Sequence, residues 1–258
     1  LVESSHPPAA IWSARLAGLA AVLMLVAVAA HRYLAMETVA FLWVLGLVAV
    51  LALVALGAAF AGFAAVWSDG ASGAGRLVRA SLLALLTLAP FAVGAWRAYE
   101  YPPLVDVATD LTDPPGFRAA AILRDPRANR IVPIDAAAAA TIAGSYPEID
   151  GRRYQAAPDR VLEAIRSILA RRGWPVVEQR GALPEQGEMT IEALASSYLL
   201  RLPADVAIRI TDEGETTFVD MRSASHYGAH DLGDNGLRIR RFLADLDALI
   251  ADLAEPTI

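Results

Sequence analysis

Apolar residues follow two rhythms along the chain. In residues 1–100 they form three long runs. No charge interrupts Thr38 to Ser68, 31 residues, well above the ~20 that cross a hydrocarbon core of ~30 Å. Ala80 to Trp96 is uncharged for 17 residues, and Arg79 and Arg97 lengthen its span by carrying their guanidinium groups outward on aliphatic stems. Leu16 to Ala30 gives 15 residues between Arg15 and His31. This run reaches spanning length when Ile11–Ala14 join it and Arg15 snorkels. Trp12, Trp67 and Trp96 fall at the run ends, where an interfacial aromatic belt places them. The pattern predicts three transmembrane helices. For the first run a cleaved signal peptide is the rival, since Arg15, the apolar stretch and Ala27-Val28-Ala29 fit that plan. An uncleaved helix is the expectation. Ala58 and Gly62 form a small-xxx-small pair, but alanine is too abundant for the pair to mean much.

Beyond residue 100 the rhythm shortens. Tyr101-Pro102-Pro103 ends the third helix, because proline lacks an N–H and disfavours helix in the residue before it. Asp106 to Phe117, with Asp113-Pro114-Pro115-Gly116, reads as an extended, turn-rich connector. In 118–157 the pattern supports one short helix at Ala136–Ala143 and turns at Tyr146-Pro147 and Asp150-Gly151. Pro158 and Asp159 then open a helix carrying Val161, Leu162, Ile165, Ile168 and Leu169 at helical spacing, and Gly173 stops it. Strands are expected at Met189–Ala195, Asp205–Thr211 and Thr216–Ser223, with a further one at Trp174–Gln179. Val206, Ile208 and Ile210 alternate with polar or small residues, as do Val219 and Met221 with Asp220 and Arg222, which puts the latter two away from the core. Glu213-Gly214 is the hairpin turn. Ile239, Phe242, Leu243, Leu246, Leu249, Ile250 and Leu253 stripe one face of a closing helix. The expected fold is an α-helical transmembrane region of three helices followed by an α+β two-layer domain, an antiparallel sheet packed on helices. Its parts are a membrane domain over 1–100, a connector and irregular segment over 101–157, and the α+β domain over 158–258.

Composition agrees with that division. The chain is 56% hydrophobic and 19% charged, with a mean hydropathy of +0.43. Residues 1–100 hold five Arg and four acids, and residues 101–258 hold 17 Arg and 24 acids, so the net −6 comes from the second half. An acidic balance excludes the concentrated basic face that nucleic acid requires. The chain has no cysteine, which excludes disulfides, thiol catalysis, iron–sulfur clusters, cysteine zinc sites and a lipidated-cysteine anchor. It also has no lysine, which excludes a P-loop lysine and Schiff-base chemistry. With the N-terminus cytoplasmic, Arg15, Arg76 and Arg79 lie inside and Arg32 and Arg97 outside. That positive-inside vote puts the C-terminal domain in the periplasm or outside.

One stretch is dense in polar and glycine residues. Asp205-Val206, then Val219-Asp220-Met221-Arg222-Ser223-Ala224-Ser225, Gly228, Asp231-Leu232-Gly233, Asn235 and Arg238-Ile239 resemble the signature of the family called domain of unknown function 1499. Asp106-Val107, Thr109-Asp110 and Asp113-Pro114-Pro115-Gly116-Phe117 look like the leading segment of its membrane-anchored proteobacterial members, and Tyr146-Pro147 matches too. The resemblance covers roughly residues 100–254. Here His226 stands where the family has arginine, and Ala204 where it has an acid. The family brings an expected fold and no established activity.

The candidate binding residues are Asp205, Arg222, Ser223, Ser225, Asp231, Asn235 and Arg238. A structural reading gives each a local job. Ser223 and Ser225 bond nearby backbone in a strand-exit turn, Gly228 and Gly233 adopt positive φ, Asp231 or Asp234 caps the final helix, and Arg222 pairs with Asp205 across neighbouring strands. A ligand reading gathers a helix N-terminus, the serines, Arg222, Arg238 and Arg240 around a phosphate or carboxylate. A metal reading needs His226, His230 and Asp231 together, whereas Gly228 marks that stretch as loop. No G-x-S-x-G elbow supports serine hydrolysis. His6 and His31 read as interfacial, and Arg127, Arg130, Arg152 and Arg153 as solvated surface. The expectation is a membrane-anchored, non-enzymatic interaction or accessory module of an envelope complex, without cofactor. Its partners are membrane lipids and another membrane or envelope protein. The alternatives are a lipid or small-anion binding module and an envelope hydrolase.

Overall fold

The computed structural model describes residues 8–69, 73–183, 185–197 and 200–254, with only the backbone of Asp69, Leu253 and Ala254. His6 and the side chain of Leu253 thus lie outside it. The chain divides into two compact units, Leu1–Trp96 and Arg97–Ile258.

The first unit holds the three predicted helices, α1 (Pro8–Tyr33), α2 (Thr38–Asp69) and α3 (Ala74–Glu100), the last continuing into the second unit. All three are long and apolar enough to cross a membrane, and the protein is membrane-associated on that ground. Leu19, Val22, Leu25, Leu53, Val54, Leu82 and Leu86 face outward, as lipid-facing positions do. The buried seams are rich in small residues, Ala10, Ser13, Ala17 and Ala20 on α1, Ala52, Ala55 and Ala59 on α2, Ala80 and Ala84 on α3, beside the larger Phe41, Val48 and Leu77. The small ones repeat every three or four residues. Lipid tails are as apolar as any side chain, so helices gain by close van der Waals approach, which small residues permit. Gly62 has a specific partner after all, because a Cβ there would lie 2.6 Å from the Leu77 side chain. Between α1 and α2, His31 stacks on Phe41 at 4.3 Å and its Nδ1 meets Met36 O at 2.9 Å.

The second unit is built on a six-stranded antiparallel sheet. Its strands are β1 (Asp106–Ala108), β2 (Arg152–Tyr154), β3 (Val176–Ala182), β4 (Glu188–Ser196), β5 (Pro203–Asp212) and β6 (Thr217–Ser225). The order is β1-β6-β5-β4-β3, with β2 beside the start of β6. In register, Ile208 pairs with Ile191 and Met221, and Ile210 with Met189 and Val219. These side chains, with Val206 and Ala193, face α6 (Pro158–Arg172) and α7 (Asp234–Ala254). The helices reply with Val161, Ile165, Ile168, Ile239, Phe242 and Leu246. One core thus lies between sheet and helices, the expected two-layer α+β arrangement.

Local chemistry sets the ends. Pro158 opens α6, and Gly173 at φ +63° closes it, freeing Gly173 N–H to donate to Ala170 O and Trp174 N–H to Leu169 O. Trp174 then stacks on Phe242 at 6.1 Å. Asp135 caps α5 (Ala136–Ser145) by accepting from Ala138 N–H at 2.8 Å.

Four features depart from the expectation. The connector holds a three-residue strand, β1, and residues 118–157 contain β2 and α4 (Ala119–Leu123). These elements have too few residues for a period. The edge strand begins at Val176, two residues after Trp174, because Trp174 turns into the core. β6 runs on through Ser225, so Ser223 lies inside a strand and not in an exit turn. Asp220 and Arg222 do face away from the helices, yet both are buried, because residues 106–134 cross that outer face.

Candidate functional site

The signature residues divide between the two faces of the sheet. Alternation along β6 sends Ser223 and Ser225 toward α7, and Asp220 and Arg222 toward the outer face.

On the helix side a closed polar knot forms. Ser223 Oγ donates to Asn235 Oδ1 at 2.9 Å, and Arg238 Nη1 donates to both, at 2.9 and 2.6 Å. Asn235 Nδ2 donates to Val105 O and to Ser225 Oγ, at 2.9 and 3.0 Å. The serines therefore bond side chains of α7 rather than nearby backbone. Asp231 accepts from Gly233 N–H at 2.8 Å and Asn235 N–H at 2.9 Å, capping α7 as expected. Burial pushes the Asp231 carboxyl up, partly offset by those two N–H groups. Burial also lowers the Arg238 guanidinium from its ordinary value, against the pull of Asp234 and Asp231.

The loop before α7 is held just as closely. Gly228, Leu232 and Gly233 have φ of +92°, +55° and +77°. His230 Nδ1 accepts from Leu232 N–H at 2.9 Å, which leaves Nε2 as the donor to Ala98 O and Tyr101 O at 3.2 and 3.1 Å. The Tyr101 ring packs where a Cβ of Gly233 would be, and Tyr146 packs against Gly236, 2.7 Å from a Cβ placed there. Arg97 lies over Tyr101 at 5.5 Å and pairs with Asp234 at 3.0 Å. The Tyr146 hydroxyl is buried with no partner among the described residues, and burial, then Asp231, raises its pKa.

On the outer face, ion pairs tie the segment 106–134 down like a strap. Arg222 forks onto Asp106 at 3.0 and 2.8 Å and donates to Val132 O at 2.9 Å, beneath the Phe117 ring. The expected Arg222–Asp205 pair does not form. Arg222 stands opposite Ala207 and is taken by β1, whereas Asp205 accepts from Arg124 Nε at 2.6 Å. Arg124 further donates to Asn129 O and Ala224 O at 2.6 and 3.0 Å. His226 Nε2 lies 3.0 Å from the same Asp205 oxygen, within ion-pair distance but not aligned as a hydrogen bond. Asp220 accepts from Thr109 and Arg209, and Arg209 also reaches Asp110 and Asp113. Burial raises the Asp110 carboxyl, but the N–H groups of Asp113 and Thr112 and the Arg209 cation outweigh it, and the net shift is downward. Buried Glu192 caps α4 by accepting from Arg118 and Ala120 N–H at 2.7 and 2.9 Å.

The arrangement separates the groups that a ligand site would need. Arg222 is on one face of the sheet, Arg238 on the other, and Arg240 is exposed beside Glu148. The Asp231 carboxylate already fills the start of α7. His226 and His230 serve different partners, and no three His, Asp or Glu side chains gather as a metal site among the described residues. An open recess of about 580 Å³ is lined by residues 98–103 and Ser145, none of them a candidate. Arg152 and Arg153 are on β2, and Arg153 forks onto Glu213 at 2.6 and 2.8 Å. Sequence reasoning missed Arg124, Arg209 and Glu192, which carry no spacing signal, and did not single out Asp106 or Asp220 from the signature.

The family described as "Protein of unknown function (DUF1499)" matches residues 106–246. The match takes in every strand, the strap and most of α7. No curated protein and no solved structure matches the chain.

Proposed function

The chain belongs to the DUF1499 family, and from that premise we propose that it is a membrane-anchored interaction module. The three helices hold it in a bacterial inner membrane, and the α+β domain faces the periplasm, where it joins a membrane or envelope assembly as an accessory subunit. One observation carries this reading. The polar signature groups bond one another, while Ile122, Leu123, Val176, Val177 and Leu194 stand exposed around α4 and β3. α4 packs over β4 and β3 on the outer face, toward which Leu194 also points, whereas Val176 stands opposite Ala193 on the helix side. Clustered apolar surface of this kind marks contact with another macromolecule.

The test is gentle purification of the full chain from native membranes, with the complex mass measured in detergent. Co-purification at stoichiometric amounts is expected, and a monomer with no protein bound defeats the reading. A C-terminal reporter active only outside the cytoplasm tests the orientation, which rests on Arg15, Arg76 and Arg79 against Arg32 and Arg97.

A further inference from the structure

The two edges of the sheet are treated differently. At one edge β6 is covered along much of its length, by β1 on Ala224–Arg222 and by β2 on Val219–Thr217. At the other edge β3 pairs with β4 on one side only. Its free side presents a row of backbone groups with no partner strand among the described residues, a ready template for another chain.

The sequence of this edge favours a copy of itself. β3 reads Val176-Val177-Glu178-Gln179-Arg180-Gly181-Ala182, with a bulge between Val176 and Glu178 and regular pairing from Glu178 onward. Place a second β3 antiparallel beside it, with the two-fold axis through Gln179. Glu178 of each copy then stands opposite Arg180 of the other, so one register forms two opposite-charge pairs. Moving the register by two residues either way sets Glu178 against Glu178 or Arg180 against Arg180. Opposite charges across a strand pair stabilise it, and like charges destabilise it. Both side chains retain access to such a partner, at 27% and 36% exposed. They share the outer face with Glu192, which caps α4. A two-fold axis perpendicular to the sheet keeps the outer faces of both copies on one side. The exposed Ile122 and Leu123 of each α4 therefore flank the seam.

We propose that β3 is a homodimer edge, joining two copies into one continuous sheet through the Glu178–Arg180 reciprocal pairs. The proposal rests on the interaction reading above and names its first partner as a second copy of this chain.

The absence of cysteine makes the test direct. Full-length Gln179→Cys in native membranes is treated with a short bis-maleimide, beside Ala182→Cys. Cysteines at 179 meet across the axis, whereas those at 182 are six residues apart along the ladder, roughly 20 Å. Position 179 is expected to give mostly covalent dimer, at least fivefold more than 182. In the Gln179→Cys background, Glu178→Arg is expected to cut the dimer at least fivefold, and Glu178→Arg with Arg180→Glu to restore it. Protease resistance of the domain serves as the folding control, since Arg180 also touches Glu192. Equal cross-linking at 182, no dimer at 179 in folded protein, or no restoration by the double reversal in folded protein overturns the proposal. If the dimer fails while another protein co-purifies, the interaction reading stands and the homodimer falls. A bare monomer removes both.

Discussion

Asp205→Ala tests whether the outer-face ion pairs hold the strap. Asp205 and Arg124 side chains are 5% and 6% exposed. Removing one partner of a buried pair leaves the other charge in a poorly solvating site, at a cost of about 3–5 kcal/mol. The lower figure applies here, because Arg124 keeps its bonds to Asn129 O and Ala224 O. About 3 kcal/mol corresponds to an opening equilibrium shifted on the order of 10²-fold. That is a large share of a stability typically of 5–15 kcal/mol.

The assay is hydrogen exchange by mass spectrometry on the full chain in detergent. Peptides covering residues 118–134 should exchange on the order of 10² times faster, with Asn129 N–H, now bonded to His226 O at 2.6 Å, among the first released. Peptides from α2 should not change. Asp205→Asn should fall between wild type and Asp205→Ala, since its amide oxygen still accepts from Arg124. Arg124→Met combined with Asp205→Ala should cost less than the sum of the single changes, because no charge is then stranded. An Asp205→Ala strap that exchanges less than about threefold faster refutes the latch, since this is under ~0.7 kcal/mol.

Three further outcomes follow from the same geometry. Tyr146→Phe removes a buried hydroxyl that has no partner among the described residues, so it should leave stability equal or raise it by up to ~1 kcal/mol in denaturant titration; a loss above ~1 kcal/mol would show that the hydroxyl is bonded. Gly62→Leu places a side chain where Leu77 already sits and should separate α2 from α3, lowering the melting temperature of the anchor in detergent relative to Gly57→Leu, where the space is open. Hydrogen bonds from Arg153, then Thr216, hold Glu213 at about 2 against an ordinary 4.5, so this pair's contribution is present above pH ~4.5 and lost as pH falls through ~2; a carboxyl ¹³C midpoint near 4.5 would contradict it.

How much was legible depended on whether the signal was local. Thr38–Ser68 announced itself because spanning a membrane demands one unbroken apolar run. Ile239, Phe242, Leu243 and Leu246 were readable because one helix face repeats them within a few residues. The strands β4, β5 and β6 followed from alternation, and the fold class followed from those elements together. Small seam residues in the anchor were hidden by abundance. Alanine occupies both the buried and the lipid-facing positions, so only the geometry separates Ala55 from its neighbours.

The candidate site is only partly legible, for a different reason. Alternation in β6 states which way Arg222 points, but not whether water or protein lies there. Its cover comes from Asp106 and Val132, 116 and 90 residues earlier in the chain, and no period spans such a gap. A polar far face therefore looked like either solvent or a ligand site. In the structure, Asp106, Asp205 and Asp220 each hold an arginine, Arg222, Arg124 and Arg209 in turn. Such pairs add little net stability over apolar packing, but each demands one particular partner, so they fix where the strap lies. The signature thus specifies the path of the strap over the sheet, and the contact proposed above uses surface that those pairs leave uncovered, the β3 edge and the apolar side of α4.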